Sequence, residues 1–155
     1  MYSPIILQAG CTIGKPAESE AVMEQLNALL ALLRQFPSWE EEKGPAVDMW
    51  DGCPQNSSLQ PLGLTELGYR EDVLGQVRWR LRQSYSLRRA AYAGAGAAEW
   101  LARLQNWLLG KTSPELEAAF APGLRLWAQQ GRLVNTSQPG TGIYELKIHV
   151  EYEKE

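Results

Sequence analysis

The stretch DVLGQVRWRLRQSYSLR, from Asp72 to Arg88, alternates between two kinds of residue. Val77, Trp79, Leu81, Tyr85 and Leu87 fall on one parity; Arg78, Arg80, Arg82, Ser84, Ser86 and Arg88 fall on the other. Successive side chains of a strand point to opposite faces, so this period of two predicts a long, half-buried strand. Its length implies that it outreaches its neighbours or bends near Gly75. A second stretch repeats the pattern. From Ile143 to Glu153, Tyr144, Leu146, Ile148, Val150 and Tyr152 share one face, and Glu145, Lys147, His149, Glu151 and Glu153 share the other.

The two polar faces complement each other. The arginine row Arg78, Arg80, Arg82 admits two readings: a basic stripe for a nucleic-acid backbone or an acidic partner, or cross-strand pairing with Glu145, Glu151 or Glu153 if the strands are neighbours. The match of charges favours pairing, which makes the face a charged ladder open to water or to another subunit.

Outward from these strands the chain reads as follows. Residues 1–16 form an irregular arm punctuated by Pro4, Gly10, Gly14 and Pro16, with Ile5 to Leu7 suited to a short strand. Ala17 to Gln35 is a helix with Val22, Leu26, Leu29, Leu30 and Leu33 at helical spacing, ended by Pro37. Glu40 to Gly44 is a solvated loop, Val47 to Trp50 a short strand, and Gln55 to Gly68 mostly loop with a short strand near Leu59. After the long strand, Ala95 to Leu109 is a helix with the stripe Trp100, Leu101, Leu104, Trp107, Leu108, stopped at Gly110. Thr112 and Glu115 flank Pro114 as a capped start for a third helix reaching Phe120. Leu124 to Val134 is a strand pair broken near Gly131, and Gly140 to Gly142 a turn. The order predicts an α+β domain over residues 17–155, an antiparallel sheet with helices mainly on one face.

Bulk properties bound the function. The chain has 155 residues, 45% hydrophobic and 21% charged, which suits one folded domain and not a disordered segment. Its net charge of −3 is the reverse of a general nucleic-acid binder. The beginning of the chain lacks a basic segment ahead of an apolar one, and the longest aliphatic run, Ala28 to Leu33, is far short of a membrane span. A soluble intracellular protein without a membrane partner is expected.

The sequence offers no convincing catalytic set. His149 is the one histidine, and its place on a polar strand face reads as exposed. Cys11 and Cys53 lie in no nucleophile or zinc motif, and Asp48 and Asp51 lack the spacing of a cation loop. Gly94-Ala95-Gly96 lacks the other residues of a phosphate-binding loop. The tryptophans Trp39, Trp50, Trp79, Trp100, Trp107 and Trp127 read first as core or interface anchors and second as walls of a small-molecule pocket. No cofactor, metal site or enzyme activity is expected.

Three stretches together resemble the small tail-completion proteins of tailed phages and prophages, the tail-terminator or minor-capsid type of siphophages. They are Leu26–Trp39 feeding Ala46–Gly52, the strand Asp72–Arg88 leading to Trp100 and Trp107, and the terminal strand from Gly142 with Tyr144 and Tyr152. The resemblance covers about residues 20–155 and leaves out the arm. It implies a tail-terminator-like α+β fold that self-assembles into a ring, hexameric in many such proteins. That ring sits on the tail tube and head–tail connector, in the virion, after assembly in the bacterial cytoplasm. DNA is then only passing cargo, and an acidic subunit suits passage without sticking. Arg78, Arg80, Arg82, Trp79, Trp100, Trp107, Tyr144 and Tyr152 are the candidate interface residues. A connector or head-completion role, and a ligand-binding domain, are the alternatives.

Overall fold

The computed structural model describes residues 16–37, 39, 45–47, 57–92, 96–120, 123–129, 131–138 and 140–154. Residues 1–15 of the arm, the loop at 40–44, and Cys11, Asp48, Trp50, Asp51, Cys53 and Gly94 lie outside the described residues, while Pro16 opens α1. The elements in chain order are α1 (Pro16–Leu33), β1 (Ala46–Val47), β2 (Ser57–Glu71), β3 (Val77–Tyr92), α2 (Ala97–Leu108), α3 (Pro114–Phe120), β4 (Arg125–Ala128), β5 (Arg132–Gln138) and β6 (Thr141–Lys154). They form an α+β fold with one sheet in the order β1-β2-β3-β6-β4, and β5 also pairs with β6. β1 runs parallel to β2; the other pairings are antiparallel.

The two alternating stretches are neighbours, as their charges suggested. β3 pairs with β6 from Trp79 opposite Lys154 to Tyr92 opposite Thr141, placing Arg82 opposite Glu151 and Arg88 opposite Glu145. The strand begins at Val77, not Asp72. Asp72 to Gln76 is a hairpin turn, in which the Asp72 carboxylate accepts from the amides of Leu74 and Gln76 at 2.9 and 3.0 Å.

The largest departure from expectation is β2. Residues 57–71 form a long strand where the sequence suggested loop. Pro61, Gly63 and Gly68 ordinarily break strands, but β2 is paired by β1 only at Ser58 and Leu59, so the rest of its outer side is a free edge among the described residues. There proline costs no ladder bond. The glycines adopt φ of +128° and +139° at two register shifts, conformations that other residues rarely reach. Loop-forming composition thus marks a bulged edge strand.

β4 and β5 flank β6 in succession, with the expected break between them. That break brings Gly131 against α2: a Cβ there would lie 2.8 Å from Leu101 Cδ1.

All three helices pack on the face carrying Tyr85, Leu87, Leu146, Ile148 and Val150. Leu29 and Leu33 of α1, Leu104 and Leu108 of α2, and Leu116 and Phe120 of α3 are fully buried against it. Each such side chain contributes about 1.5–3 kcal/mol of transfer free energy. Val22, expected on the buried stripe of α1, is 48% exposed, because that helix meets the core only from Leu26 onward. Beyond α1, Phe36, Trp39, Trp100 and Trp107 pack edge to face with ring centroids 5.2–5.8 Å apart. Trp39 also donates its indole N–H at 2.6 Å to the Leu33 carbonyl, which accepts the Phe36 amide at 3.0 Å as well, at the end of α1.

Candidate functional site

The helices leave the other face of the sheet open among the described residues, and this face carries the charge. By register, β3 contributes Arg78, Arg80, Arg82 and Arg88, β2 contributes Arg70, and β6 contributes Lys147. Arg125 and Arg132 join them from β4 and β5. Among the described residues, three carboxylates, Glu145, Glu151 and Glu153, stand against these eight cations, in a chain of net charge −3.

Glu151 is the hub. Arg82 donates to it from Nε and Nη2 at 3.2 and 3.0 Å, Arg80 from Nη2 at 3.1 Å, and the Trp127 indole from Nε1 at 3.2 Å. Burial alone would push its carboxyl up; the hydrogen bonds from Arg82, Trp127 and Arg80, with the Arg82 charge, outweigh it and hold the group below the usual range. Glu145 follows the same logic. Burial raises it, but the Ser86 hydroxyl at 2.7 Å and the Arg88 guanidinium at 3.4 Å bring it below its ordinary value. At the far end Arg70 donates to Glu153 at 2.9 Å. Cross-strand pairing therefore accounts for Arg80 and Arg82.

His149 corrects an expectation. It lies on the open face as the alternation required, yet it is only 7% exposed. Trp127 of β4 lies against the ring, with centroids 4.5 Å apart and planes tilted by 38°, and Gln129 meets its Nε2 edge. A four-residue edge strand pairs with β6 beside the histidine, and no feature of the sequence marks that pairing. Ser84 Oγ lies 2.8 Å from Nδ1, and Gln129 Oε1 lies 3.0 Å from Nε2. An amide oxygen only accepts, so Nε2 carries the proton and Nδ1 accepts from the serine hydroxyl. Burial lowers the pKa first, the Arg82 and Lys147 charges lower it further, and Glu151 opposes them. The ring is a neutral bridge between three strands. In a serine–histidine–aspartate triad a carboxylate orients the ring; here the second ring nitrogen meets the Gln129 amide oxygen.

The candidate interface residues divide three ways. Arg78, Arg80 and Arg82 sit on the open face. Trp79 is half-exposed on the helix-side face beyond the helices, beside Tyr69 at 5.1 Å. Trp100 and Tyr152 are buried, Tyr152 against Phe120 at 5.3 Å, and Trp107 and Tyr144 are partly buried against the same core. Trp79 is thus exposed and the three arginines are half-buried, while the other four are engaged in packing. The tryptophans of the aromatic group fill space against each other. Of the described cavities, one of roughly 820 Å³ beside Trp127 has a tryptophan in its wall.

Sequence reading missed the hairpin overhang. Beyond the helices, Leu64, Tyr69, Val73, Leu74, Val77 and Trp79 are all exposed, Tyr69 by 65%. It went unseen because Leu64 lies in the stretch read as loop, and without β2 nothing sets Tyr69 beside Trp79. Arg89, past the expected end of the strand, was missed too: it is buried, with Nη1 donating to Ser57 Oγ at 2.9 Å and the guanidinium 4.3 Å from the Trp100 ring centre. No protein-family model matches the chain, and no curated protein matches it at significant similarity.

Proposed function

We propose that the chain is a structural subunit that docks onto copies of itself and onto other protein subunits, and that its place is the tail of a phage or prophage. The carrying observation is the hairpin overhang. Exposed Tyr69 and Trp79, paired across the hairpin, with Val77 next to them, Leu64 further along β2, and Val73 and Leu74 at the tip, form the kind of apolar surface that marks a protein contact. Aromatic side chains at such a surface act as anchors. Element order and the aromatic strand residues, through their resemblance to tail-completion proteins, support the finer reading: a ring that completes the tail or joins it to the head, built in the bacterial cytoplasm and carried in the virion.

Light scattering after size exclusion, over a concentration series, with negative-stain images of the largest species, tests this. A closed ring is expected, and Tyr69→Ser with Trp79→Ser should shift the population to monomer. A monomer at every concentration, with fields free of rings, overturns self-assembly.

A further inference from the structure

We propose that the open face of the sheet binds the phosphate backbone of duplex DNA without reading its sequence, with Arg132 and Lys147 as its principal phosphate seat. The net charge of the chain conceals this surface. Four of the eight cations on the face, Arg70, Arg80, Arg82 and Arg88, are paired with its three described carboxylates, which are thereby already committed. Glu151 serves Arg80 and Arg82, Glu153 serves Arg70 and Arg80, and Glu145 serves Ser86 and Arg88. Among the described residues Arg125, Arg132 and Lys147 hold no carboxylate. Arg132 and Lys147 line a depression of roughly 310 Å³ with Gln129 and Glu145. Gln129 gives its amide oxygen to His149, which leaves its amide N–H groups to donate into the depression. Glu145 is the one unfavourable group there, and Arg88 offsets its charge.

The chemistry of the face separates DNA from an acidic protein. Between Arg78 and Arg88, β3 presents only arginine and serine on this side, and the facing part of β6 presents glutamate, lysine and histidine. A stable protein interface has an apolar, charge-depleted centre, which this face lacks. A duplex demands none: it offers one negative charge per roughly 1.7 Å of axis, in any register, to cations spread over five strands. Guanidinium groups also suit phosphate oxygens, which they meet with two parallel donors. The contact stands on charge distribution alone and does not depend on ring assembly.

Fluorescence anisotropy of a labelled duplex of mixed sequence, titrated with the full chain, tests the proposal. Affinity should fall roughly a hundredfold between about 50 and 200 mM salt, the slope for three to four phosphate contacts, and should be the same for unrelated sequences. Arg125→Glu with Arg132→Glu should weaken binding about tenfold or more and flatten the slope; Arg132→Gln with Lys147→Gln should do so more mildly. Arg103→Glu, on the exposed side of α2, should leave binding within about twofold, because it alters net charge but not this face. Circular dichroism checks that each variant folds. No binding at the low-salt end overturns the proposal, as does an equal loss in Arg103→Glu. A glutamate-rich peptide that binds the face more tightly than DNA replaces it with an acidic protein partner.

Discussion

Arg82 and Glu151 face each other across β3 and β6, with two nitrogens of one guanidinium on a single carboxylate oxygen at 3.2 and 3.0 Å. Glu151 is 4% exposed, while the Arg82 side chain remains 31% exposed. The carboxylate is thus the desolvated partner, and its removal is the more damaging change: Arg82 can turn to water, but Arg80, Arg82 and Trp127 all lose their acceptor. Glu151→Gln should destabilise the fold by about 2 kcal/mol, within the range for a buried, charge-assisted hydrogen bond. Arg82→Ala should cost less. A double-mutant cycle on urea midpoints checks this, with a coupling of about 1 kcal/mol or more expected.

Stability should depend on pH in two separate windows. Glu145 and Glu151 have folded pKa values below their unfolded value of 4.5, so the unfolded chain takes up protons first. Their contribution is present above that value and is lost as pH falls through the folded pKa values. His149 is also lowered, from 6.5, and again the unfolded chain binds the proton first. Its contribution is complete above 6.5 and declines as pH drops below it. The groups facing the ring are Ser84 and Arg82 from β3, Lys147 and Glu151 from β6, and Trp127 from β4, with Gln129 beyond it. Urea midpoints should therefore fall between pH 7.5 and 5.5 and fall again below 4.5. His149→Gln should flatten the first step and spare the second. An unchanged first step in that variant would remove His149 as its source.

Much of this arrangement was legible in the sequence because alternation reports faces directly. The periods of β3 and β6 assigned Arg82 and Glu151 to polar sides, and their opposite charges suggested the pairing. What alternation cannot report is which strand lies beyond. Nothing in the run at Trp127 says that it pairs beside His149, so the histidine read as exposed. Pro61, Gly63 and Gly68 misled for a related reason: they signal turns when local geometry decides, but on a free edge the same residues build bulges. Net charge is an average that adds the open face to everything else, so it is silent on how charge is distributed over that face.

The overhang and the core should respond to mutation in opposite ways. Leu104 is fully buried between α2 and the sheet, so Leu104→Ala should cost about 2–5 kcal/mol through lost transfer energy and a cavity. Leu64 is 54% exposed on the free edge strand, so Leu64→Ser should change stability by no more than about 0.5 kcal/mol. If the overhang is a docking surface, the second variant is the one that alters solution mass. Thermal melts and light scattering on the two proteins should show the crossover: a low melting point with assembly retained when the damaged protein is kept cold, against a native melting point with assembly lost.

Gly131 joins β4 to β5 where the chain runs against α2, and its backbone angles are within reach of any residue. The constraint is space alone. A Cβ at this position would lie 2.8 Å from Leu101 Cδ1 and 2.9 Å from Leu101 Cβ. Rotating the leucine relieves the first contact but not the second, since Cβ is fixed to the helix backbone. Gly131→Ala must therefore push α2 away from the edge strands or break the β4–β5 corner. Overpacking of this kind costs about 1–3 kcal/mol. Leu101→Ala keeps the Cβ, so it should not rescue Gly131→Ala, and their penalties should add. Leu101→Gly removes the obstructing atom, at its own cost to the helix, and in that background Gly131→Ala should be close to neutral. Urea unfolding of the four combinations decides between a spatial and a conformational origin: a full penalty for Gly131→Ala in the Leu101→Gly background would mean that the glycine is needed for its backbone.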